Sequence, residues 1–499
     1  MGTNPPLPLK SAAAIVGLSL ILGFLFDYLL WEKVPGIGFS LFILSMVLAY
    51  AAVTIIQAKK LRTDVALLLV GALFFAAMVG VRANELLIVL NIGAVIGLAL
   101  LIAEVNVRAS ITSMSVIDYL RLVFPPIQYL DPMLKSVSGV MAAGKPKNRE
   151  SAIQIIRGIA MALPVVVILL ALFASADPTF ERFFTALFNT PFFDSEYPIR
   201  ILIDIGVAAM LIGAYSYAMG AHSTVSDMFA TSVKKLGTIE VMILLGSVTA
   251  VFAAFVAVQA SYFFGGTDYI ASQGLTYAEY ARRGFFELNV VCVLAWLVLM
   301  ITEQFIDRGA AHSPAFKSLS ASLVTLVLLV MTSSFYKIYL YESVYGFTTL
   351  RLYSHAFVIL LAITFVSLLY KIFIDIRNET FALRTFLSVA LFVAAMNLLN
   401  PDAYIASKNI ARYEATGKID VEHITTLSED AVPELIRAAA IVDTASTTLI
   451  TENLQKRAQQ VRKVLPWQSQ TLSRKNAARA LTNVPEPAAV LSANSFDTR

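Results

Sequence analysis

The densest group of regularly spaced charged side chains lies in the segment TYAEYARRGFFEL, residues 276–288. Glu279, Arg283 and Glu287 follow one another at intervals of four residues, so they share one face of a helix. Arg282 lies about one turn from Glu279. Carboxylates and guanidinium groups in this arrangement can pair with one another or bind a charged ligand. Because the segment leads into a long apolar run, where an unpaired charge costs at least about 3 kcal/mol, we expect an ion-pair network or a functional site.

A second polar group follows in the segment YKIYLYESVYGFTTLRLYSH, residues 336–355. Glu342 and Arg351 lie among five tyrosines, and Gly346 predicts a turn between them. Tyrosines at this density are typical of the aromatic belt at a membrane surface. Together with residues 276–288 they could line a polar pocket, although an ion-pair network with a structural role is the commoner outcome.

Three further carboxylates are secondary candidates. Asp27 and Glu32 flank the end of the first apolar run, where multi-span glycosyltransferases acting on lipid-linked sugars keep a catalytic acid. The alternative is a pair of helix-end charges beside Lys33. Asp204 lies inside another apolar run, and a carboxylate within a membrane is by default a functional candidate. It could instead pair with Arg200, four residues earlier.

The motifs of several enzyme classes are absent from the sequence. It contains no P-loop, HExxH, CxxC or GxSxG pattern. The four histidines are scattered and Cys292 is the single cysteine, so we expect no metal centre, no cofactor and no internal disulfide. The net charge of +4 gives no indication of nucleic-acid binding. A catalytic activity is therefore the less favoured interpretation.

Long apolar stretches must position these side chains. Hydrophobic residues make up 58% of the 499 residues and charged residues only 14%, a balance that excludes a soluble protein of this size. A spanning helix needs roughly 20 mostly apolar residues, and such runs are too long for the strands of a barrel. The sequence predicts an all-α, polytopic membrane helix bundle whose main partner is the lipid bilayer. Eleven runs qualify as spans: 11–31, 37–57, 63–81, 84–104, 153–174, 198–220, 238–263, 284–305, 318–336, 353–373 and 383–400.

The charges of the loops predict the orientation of the bundle. With a cytoplasmic N-terminus, the cytoplasmic loops hold roughly twice as many Lys and Arg residues as the outer loops. Eleven crossings then place the C-terminus outside, and the polar segments described above face outward. The loop 105–152 is expected to form cytoplasmic helices at the membrane interface, with a docking site for a cytoplasmic partner as the alternative. The outer loop 175–197 is rich in Phe and is expected to belong to the aromatic belt, with a lid over a lipid-facing groove as the alternative.

The chain changes in character after the bundle, which we assign to residues 1–400. Start and stop signals such as Asp402 and Gly417 predict amphipathic helices. We assign them to a small extracytoplasmic helical domain over residues 401–465. From residue 466 onward the composition lacks hydrophobic periodicity, so 466–499 is expected to be a disordered tail.

Three motifs that occur in order carry a resemblance to a known family. They are GLTYAEYARRGFFEL, YGFTTLRLY, and NPDAYIASKNIARYEATGKID followed by LSEDAVPEL. Over roughly residues 20–440 the chain resembles the bacterial membrane family known as domain of unknown function 4173, related to 4153. The resemblance implies a multi-pass protein of the bacterial cytoplasmic membrane. It implies no reaction, so no catalytic residue is transferred from it.

Three hypotheses for function remain open from the sequence. The first is a scaffold, sensor or regulatory protein that meets envelope proteins or lipids at its outer face. The second is a transporter or lipid-handling protein that uses Glu279, Arg283, Glu287 and Asp204. The third is a membrane-embedded transferase that acts on a lipid-linked substrate with Asp27 or Glu32. The oligomeric state does not follow from the sequence.

Overall fold

The computed structural model describes residues 7–108, 110–114, 118–119, 125–142, 197–220, 238–272, 285–306, 313–375 and 377–483. Within these ranges the chain is all-α, as the sequence predicts, with sixteen α-helices and short 3₁₀ turns. The helices are α1 (Leu9–Leu30), α2 (Ile37–Ile56), α3 (Thr63–Val81), α4 (Glu85–Arg108), α5 (Pro125–Ala142), α6 (Tyr197–Ala218), α7 (Thr238–Ser272), α8 (Phe285–Phe305), α9 (Pro314–Tyr345), α10 (Thr349–Phe373), α11 (Asn378–Leu399), α12 (Pro401–Thr416), α13 (Val421–Ile424), α14 (Val432–Ala439), α15 (Thr444–Arg462) and α16 (Leu472–Ala480).

Ten of the described helices, α1 to α4 and α6 to α11, are long and apolar enough to cross a membrane. They coincide with ten of the eleven predicted runs, which confirms the multi-pass membrane bundle. The eleventh run, 153–174, lies outside the described residues. Helix α9 has 32 residues and extends beyond the predicted run at both ends. Hydropathy misses these ends because they are polar.

One compact unit comprises residues 1–80, 91–231 and 466–469. In it, α1 packs along α6 and α2, and α5 packs along α6. Two glycines allow helices to approach backbone to backbone, as small residues do in membranes. A Cβ atom on Gly23 would lie 2.7 Å from the carbonyl oxygen of Asp204, and one on Gly213 would lie 2.5 Å from that of Tyr129.

Two long loops were predicted beside this bundle. Helix α5 lies in the loop 105–152 and is joined to α6 by the hydroxyls of Ser136 and Ser216, which are 2.6 Å apart. Its place at the membrane interface stays a prediction. The other loop, 175–197, lies outside the described residues as far as residue 196.

The other compact unit comprises residues 81–90, 232–465 and 470–499. Helix α9 packs against α7, α8 and α10, and α10 packs against α11. Helix α12 follows α11 after the single residue Asn400, whose left-handed backbone (φ 53°) turns the chain. Helices α12 to α16 then surround a hydrophobic core that includes Ile405, Leu435, Ile450 and Leu454. We refer to residues 401–465 and 470–483 as the C-terminal helical domain.

The expectation of a disordered tail from residue 466 is wrong for its first part. A 3₁₀ turn, Trp467–Ser469, is followed by α16, and helical structure continues to Asn483. Thr471 caps α16 by accepting a hydrogen bond from the Arg474 amide at 3.2 Å, and Ala477 and Leu481 enter the hydrophobic core. These two residues are four positions apart, and two apolar positions are too few to reveal a helical pattern in the sequence. Residues 484–499 lie outside the described part of the chain.

Candidate functional site at the C-terminal helical domain

The first polar group proposed from the sequence is not covered by the described residues. Glu279, Arg282 and Arg283 lie outside them, and Glu287 belongs to α8 without a described side chain. Whether these residues form an ion-pair network therefore stays a prediction.

The second polar group is described, and its two charged members have different partners. Glu342 is buried at the end of α9, where a carboxylate oxygen lies 3.4 Å from Nδ1 of His355. Arg351 donates a hydrogen bond to the Gly346 carbonyl, and its guanidinium lies 4.2 Å from the centre of the Tyr341 ring. Arg351 therefore stabilises the turn between α9 and α10, and its membership of a functional polar cluster stays a prediction.

The secondary candidates lie in the first unit and also pair locally. Arg200 forms a two-point salt bridge with Asp27, with Nη2 to Oδ2 at 2.8 Å, rather than pairing with Asp204 as the spacing suggested. Close packing of α1 on α6 at Gly23 explains this choice. One carboxylate oxygen of Asp204 is buried and has no hydrogen-bond partner among the described residues. Glu32 is exposed and holds a left-handed backbone (φ 55°) after α1.

A connected polar network lies elsewhere, where the C-terminal helical domain meets the loop between α3 and α4. Its centre is Asp430, whose side chain is 1% exposed. The carboxylate accepts hydrogen bonds from the amides of Ala83 at 2.7 Å and Asn84 at 3.2 Å, and from the hydroxyl of Ser473. Arg82 completes the shell with an N–O distance of 3.6 Å. A buried carboxylate is thereby surrounded by donors, as burial of charge requires.

Asp402, at the start of α12, supplies a second carboxylate that contacts the loop between α3 and α4. Its side chain accepts from the amide nitrogen of the Asn84 side chain at 2.9 Å and from the backbone of Ser428 at 3.0 Å. Asn84 in turn caps α4, because its side-chain oxygen accepts from the Leu87 amide at 3.0 Å. Tyr353 donates to the same oxygen at 3.4 Å. We call Arg82, Asn84, Asp402 and Asp430 the carboxylate clamp.

A second contact holds α12 against the end of α9. The side chain of Asn409 accepts from the Phe347 amide at 2.9 Å and donates to the Phe347 carbonyl at 2.8 Å. Gly346 makes this possible because its φ is +82° and a Cβ there would lie 2.3 Å from the Asn409 oxygen. Arg412 donates to the carbonyls of Ser343 and Val344. The domain is thus held at two places within its own unit.

A cleft of about 590 Å³ opens beside the carboxylate clamp. Helix α15 supplies a wall of amide and basic side chains, including Asn453, Lys456 and Gln460. Glu85 and Glu429 supply acidic groups among the other lining residues. The cleft therefore presents both charges and suits a polar ligand or a polar protein segment more than an apolar one.

Arg457 also lines the cleft, but it is held by the protein. It donates to the Asn453 side chain at 2.7 Å and to the backbone of Thr425 at 2.8 Å. Burial lowers the pKa of its guanidinium, and the carboxylates of Glu429 and Asp402 oppose that shift. Among the described residues, no group of three or more His, Cys, Asp or Glu side chains is arranged to bind a metal ion.

The sequence does not predict the carboxylate clamp, although two of its residues lie in motifs described above. Asp402 lies in the motif NPDAY and Asp430 in LSEDAVPEL. In the sequence, Asp402 has the position of a helix-start residue and Asp430 lies in one of the motifs that carry the family resemblance. The available signal was the dipeptide Arg82-Ala83 with Asn84 between two apolar runs, where a short hairpin loop needs partners for its amides.

Comparison with known proteins gives a family but no activity. Over residues 65–438 the chain matches the model of a family described as "Domain of unknown function (DUF4153)". Neither the comparison with curated proteins nor that with solved structures gives a match.

Proposed function

This chain belongs to the DUF4153 family, and we propose that it is a membrane scaffold or sensor that binds a partner through its C-terminal helical domain. The relation to family 4173 suggested by the motifs is part of this proposal. So is a place in the bacterial cytoplasmic membrane with the N-terminus inside and the domain outside. The bias of positively charged residues among the loops supports that orientation.

The carboxylate clamp is the observation that carries the proposal. Asp430 and Asp402 are buried, and each accepts at least one hydrogen bond from residues 83–84. A buried charge pair that loses one partner destabilises a protein by about 3–5 kcal/mol, so the clamp keeps the domain in one position. A fixed domain with an open polar cleft is what a binding platform needs.

The remaining charges argue against the transferase hypothesis. A catalytic acid must reach its substrate, but Asp27 is engaged at both oxygens by Arg200. Glu32 is exposed and is used at a left-handed turn. The salt bridge to Arg200 fits a structural role for Asp27.

One observation favours transport as a second candidate. Asp204 lies in the apolar helix α6 with a buried oxygen that has no partner in the described part of the chain. The replacement Asp204→Asn keeps the shape and removes the charge. If the protein is a transporter, the Asp204→Asn variant should lose substrate flux in proteoliposomes while it keeps its stability. If the protein is a scaffold, the variant should keep partner binding.

Orientation can be tested with single cysteines, because Cys292 is the only natural cysteine and is buried. We expect Lys456→Cys to react with a membrane-impermeant maleimide in intact cells. Lys60→Cys, in the loop between α2 and α3, should react only after the cells are permeabilised. The reverse pattern would overturn the proposed orientation.

The platform itself can be tested with a photo-reactive amino acid at position 456 in living cells. The matched control places it at Lys408, which is exposed on the same domain but does not line the cleft. We expect a defined protein crosslink from position 456 alone, weakened when Glu85 and Glu429 are both changed to Gln. Equal crosslinking from both positions, or crosslinks to lipid only, would refute a protein-binding platform.

A further inference from the structure

A second polar cavity lies in the first unit, beside the loop that precedes α3. It has a volume of about 330 Å³ and is bounded by the last turns of α2, α4 and α6 and by the loop before α3. Its polar lining consists of Tyr50, Thr54, Lys59, Lys60, Arg62 and Asn106. None of these side chains takes part in the proposed platform.

The backbone conformation of the loop before α3 places Lys59 and Lys60 at the rim of this cavity. Ala58 adopts a left-handed backbone (φ 52°), and the amide of Lys59 donates to the Thr54 carbonyl at 3.1 Å. With the bond from the Ala58 amide to the Ile55 carbonyl at 2.8 Å, this forms a Schellman end to α2. Lys59 and Lys60 therefore follow directly at the point where α2 leaves the membrane.

Two of the cations are fixed by carbonyl groups at helix ends. Lys59 donates to the Met219 carbonyl at 2.9 Å, just after α6. Arg62 donates to the Val105 carbonyl at 3.0 Å and pairs with Asp64 at 2.5 Å. Backbone carbonyls carry no formal charge, so they set the position of Lys59 without forming an ion pair with it.

The floor of the cavity is polar and buried. The Tyr50 ring is 5% exposed, and its hydroxyl oxygen accepts from the side-chain amide of Asn106 at 2.9 Å. The same amide also donates to the Ile102 carbonyl at 2.7 Å, which fixes its orientation. With three cations at the rim and the Tyr50 hydroxyl below them, the cavity suits a polar group with oxygen acceptors better than an apolar group.

The charges favour an anion. Lys59, Lys60 and Arg62 are opposed by Asp64, the carboxylate that the structure shows in contact with Arg62, which leaves an excess of positive charge. The volume is on the order of ten times the roughly 30 Å³ share of a water molecule, room for a phosphodiester and its glycerol. Helix ends lie at the depth of lipid head groups, and basic pockets between spanning helices bind acidic lipid heads there.

We propose that this cavity binds a phosphate group, carried by the head group of an anionic phospholipid. Lys60 is exposed at the rim and free to close on the phosphate, whereas Lys59 and Arg62 form fixed walls. The Tyr50 hydroxyl donates to an oxygen of the head group, and the side-chain oxygen of Asn106 accepts from a glycerol hydroxyl. The loop-charge bias places this end of the helices at the cytoplasmic leaflet.

The test uses the full-length protein, purified and depleted of lipid. Binding of phosphatidylglycerol and of phosphatidylcholine is titrated by native mass spectrometry, with inorganic phosphate and glycerol phosphate as soluble competitors. Lys60→Gln is the main variant, since its side chain is exposed, and Lys59→Gln is the second. Lys10→Gln is the matched control because Lys10 is exposed near the N-terminus and its replacement changes net charge by the same amount.

We expect phosphatidylglycerol to bind more tightly than phosphatidylcholine, and Lys60→Gln to weaken it roughly fivefold, as one cation near the surface implies. Lys10→Gln should bind as the unmodified protein does. Competition by millimolar glycerol phosphate would support the phosphate site and assign it to a soluble ligand. Unchanged affinity in both lysine variants, or an equal loss in Lys10→Gln, would overturn the proposal.

Discussion

Replacing Asp430 by Ala should release the C-terminal helical domain from the loop between α3 and α4. The change removes the acceptor for the amides of Ala83 and Asn84 and leaves Arg82, whose side chain is 16% exposed, beside an uncharged space. Breaking one partner of a buried pair costs about 3–5 kcal/mol. At 1.4 kcal/mol per factor of ten, this is roughly a hundredfold to a few thousandfold increase in local opening.

Hydrogen exchange measured by mass spectrometry reads this opening directly. Amides in the first turn of α4 and throughout α12 should lose protection in Asp430→Ala. Asp430→Asn should lower the free energy of this opening by less, about 1–3 kcal/mol. Its side-chain amide keeps one oxygen acceptor but not the negative charge.

Glu414→Ala is the matched control for this experiment. It removes one carboxylate from the same domain, but the Glu414 side chain is 49% exposed and lies 3.4 Å from Arg437. Exposed pairs of this kind contribute about 0–1 kcal/mol. If protection of α12 falls no further in Asp430→Ala than in Glu414→Ala, the clamp does not hold the domain and the reasoning fails.

Two further predictions concern the same domain. Gly346→Ala should lower the free energy of unfolding, measured by thermal denaturation, by at least about 1–2 kcal/mol. The reason is that φ is +82° and the new Cβ would lie 2.3 Å from the Asn409 oxygen. If the clash is the cause, Gly346→Ala should cost less in an Asn409→Ser background than in the natural protein, although Asn409→Ser itself removes the two hydrogen bonds to Phe347. Burial lowers the pKa of His423 below 6.5, so the unfolded imidazole takes up its proton first as pH falls. Stability should be complete above pH 6.5 and decline below it. In His423→Gln this part of the decline should vanish from unfolding curves measured between pH 7 and 5.

Hydropathy placed the spanning helices because lipid contact leaves a strong local pattern. It missed the polar ends of α9, where Lys337 and Glu342 are 6% and 2% exposed. These side chains are buried against other parts of the protein and not against lipid. A hydropathy pattern detects lipid-facing residues, so it ends the predicted span before them. The same cause explains α16, whose burial depends on a core formed by distant helices.

The candidate site could be predicted only where its partners are close in sequence. The spacing of Arg200 and Asp204 suggested a pair, but Asp27 is the partner that packing of α1 on α6 brings to Arg200. Asp402 resembles an ordinary first-turn carboxylate, and nothing nearby indicates that its oxygen meets Asn84, 318 residues away. Local patterns cannot encode a partner at that distance.

The carboxylate clamp also sets an order in which the chain can be completed during synthesis. Ala83 and Asp430 are separated by 347 residues. At about 5–20 residues per second, a ribosome needs roughly 17–70 seconds between making the loop and making its acceptor. Throughout that interval the backbone amides of Ala83 and Asn84, between α3 and α4, lack the Asp430 carboxylate as an acceptor. The loop between α3 and α4 therefore gains this acceptor only in a chain that extends at least as far as Asp430.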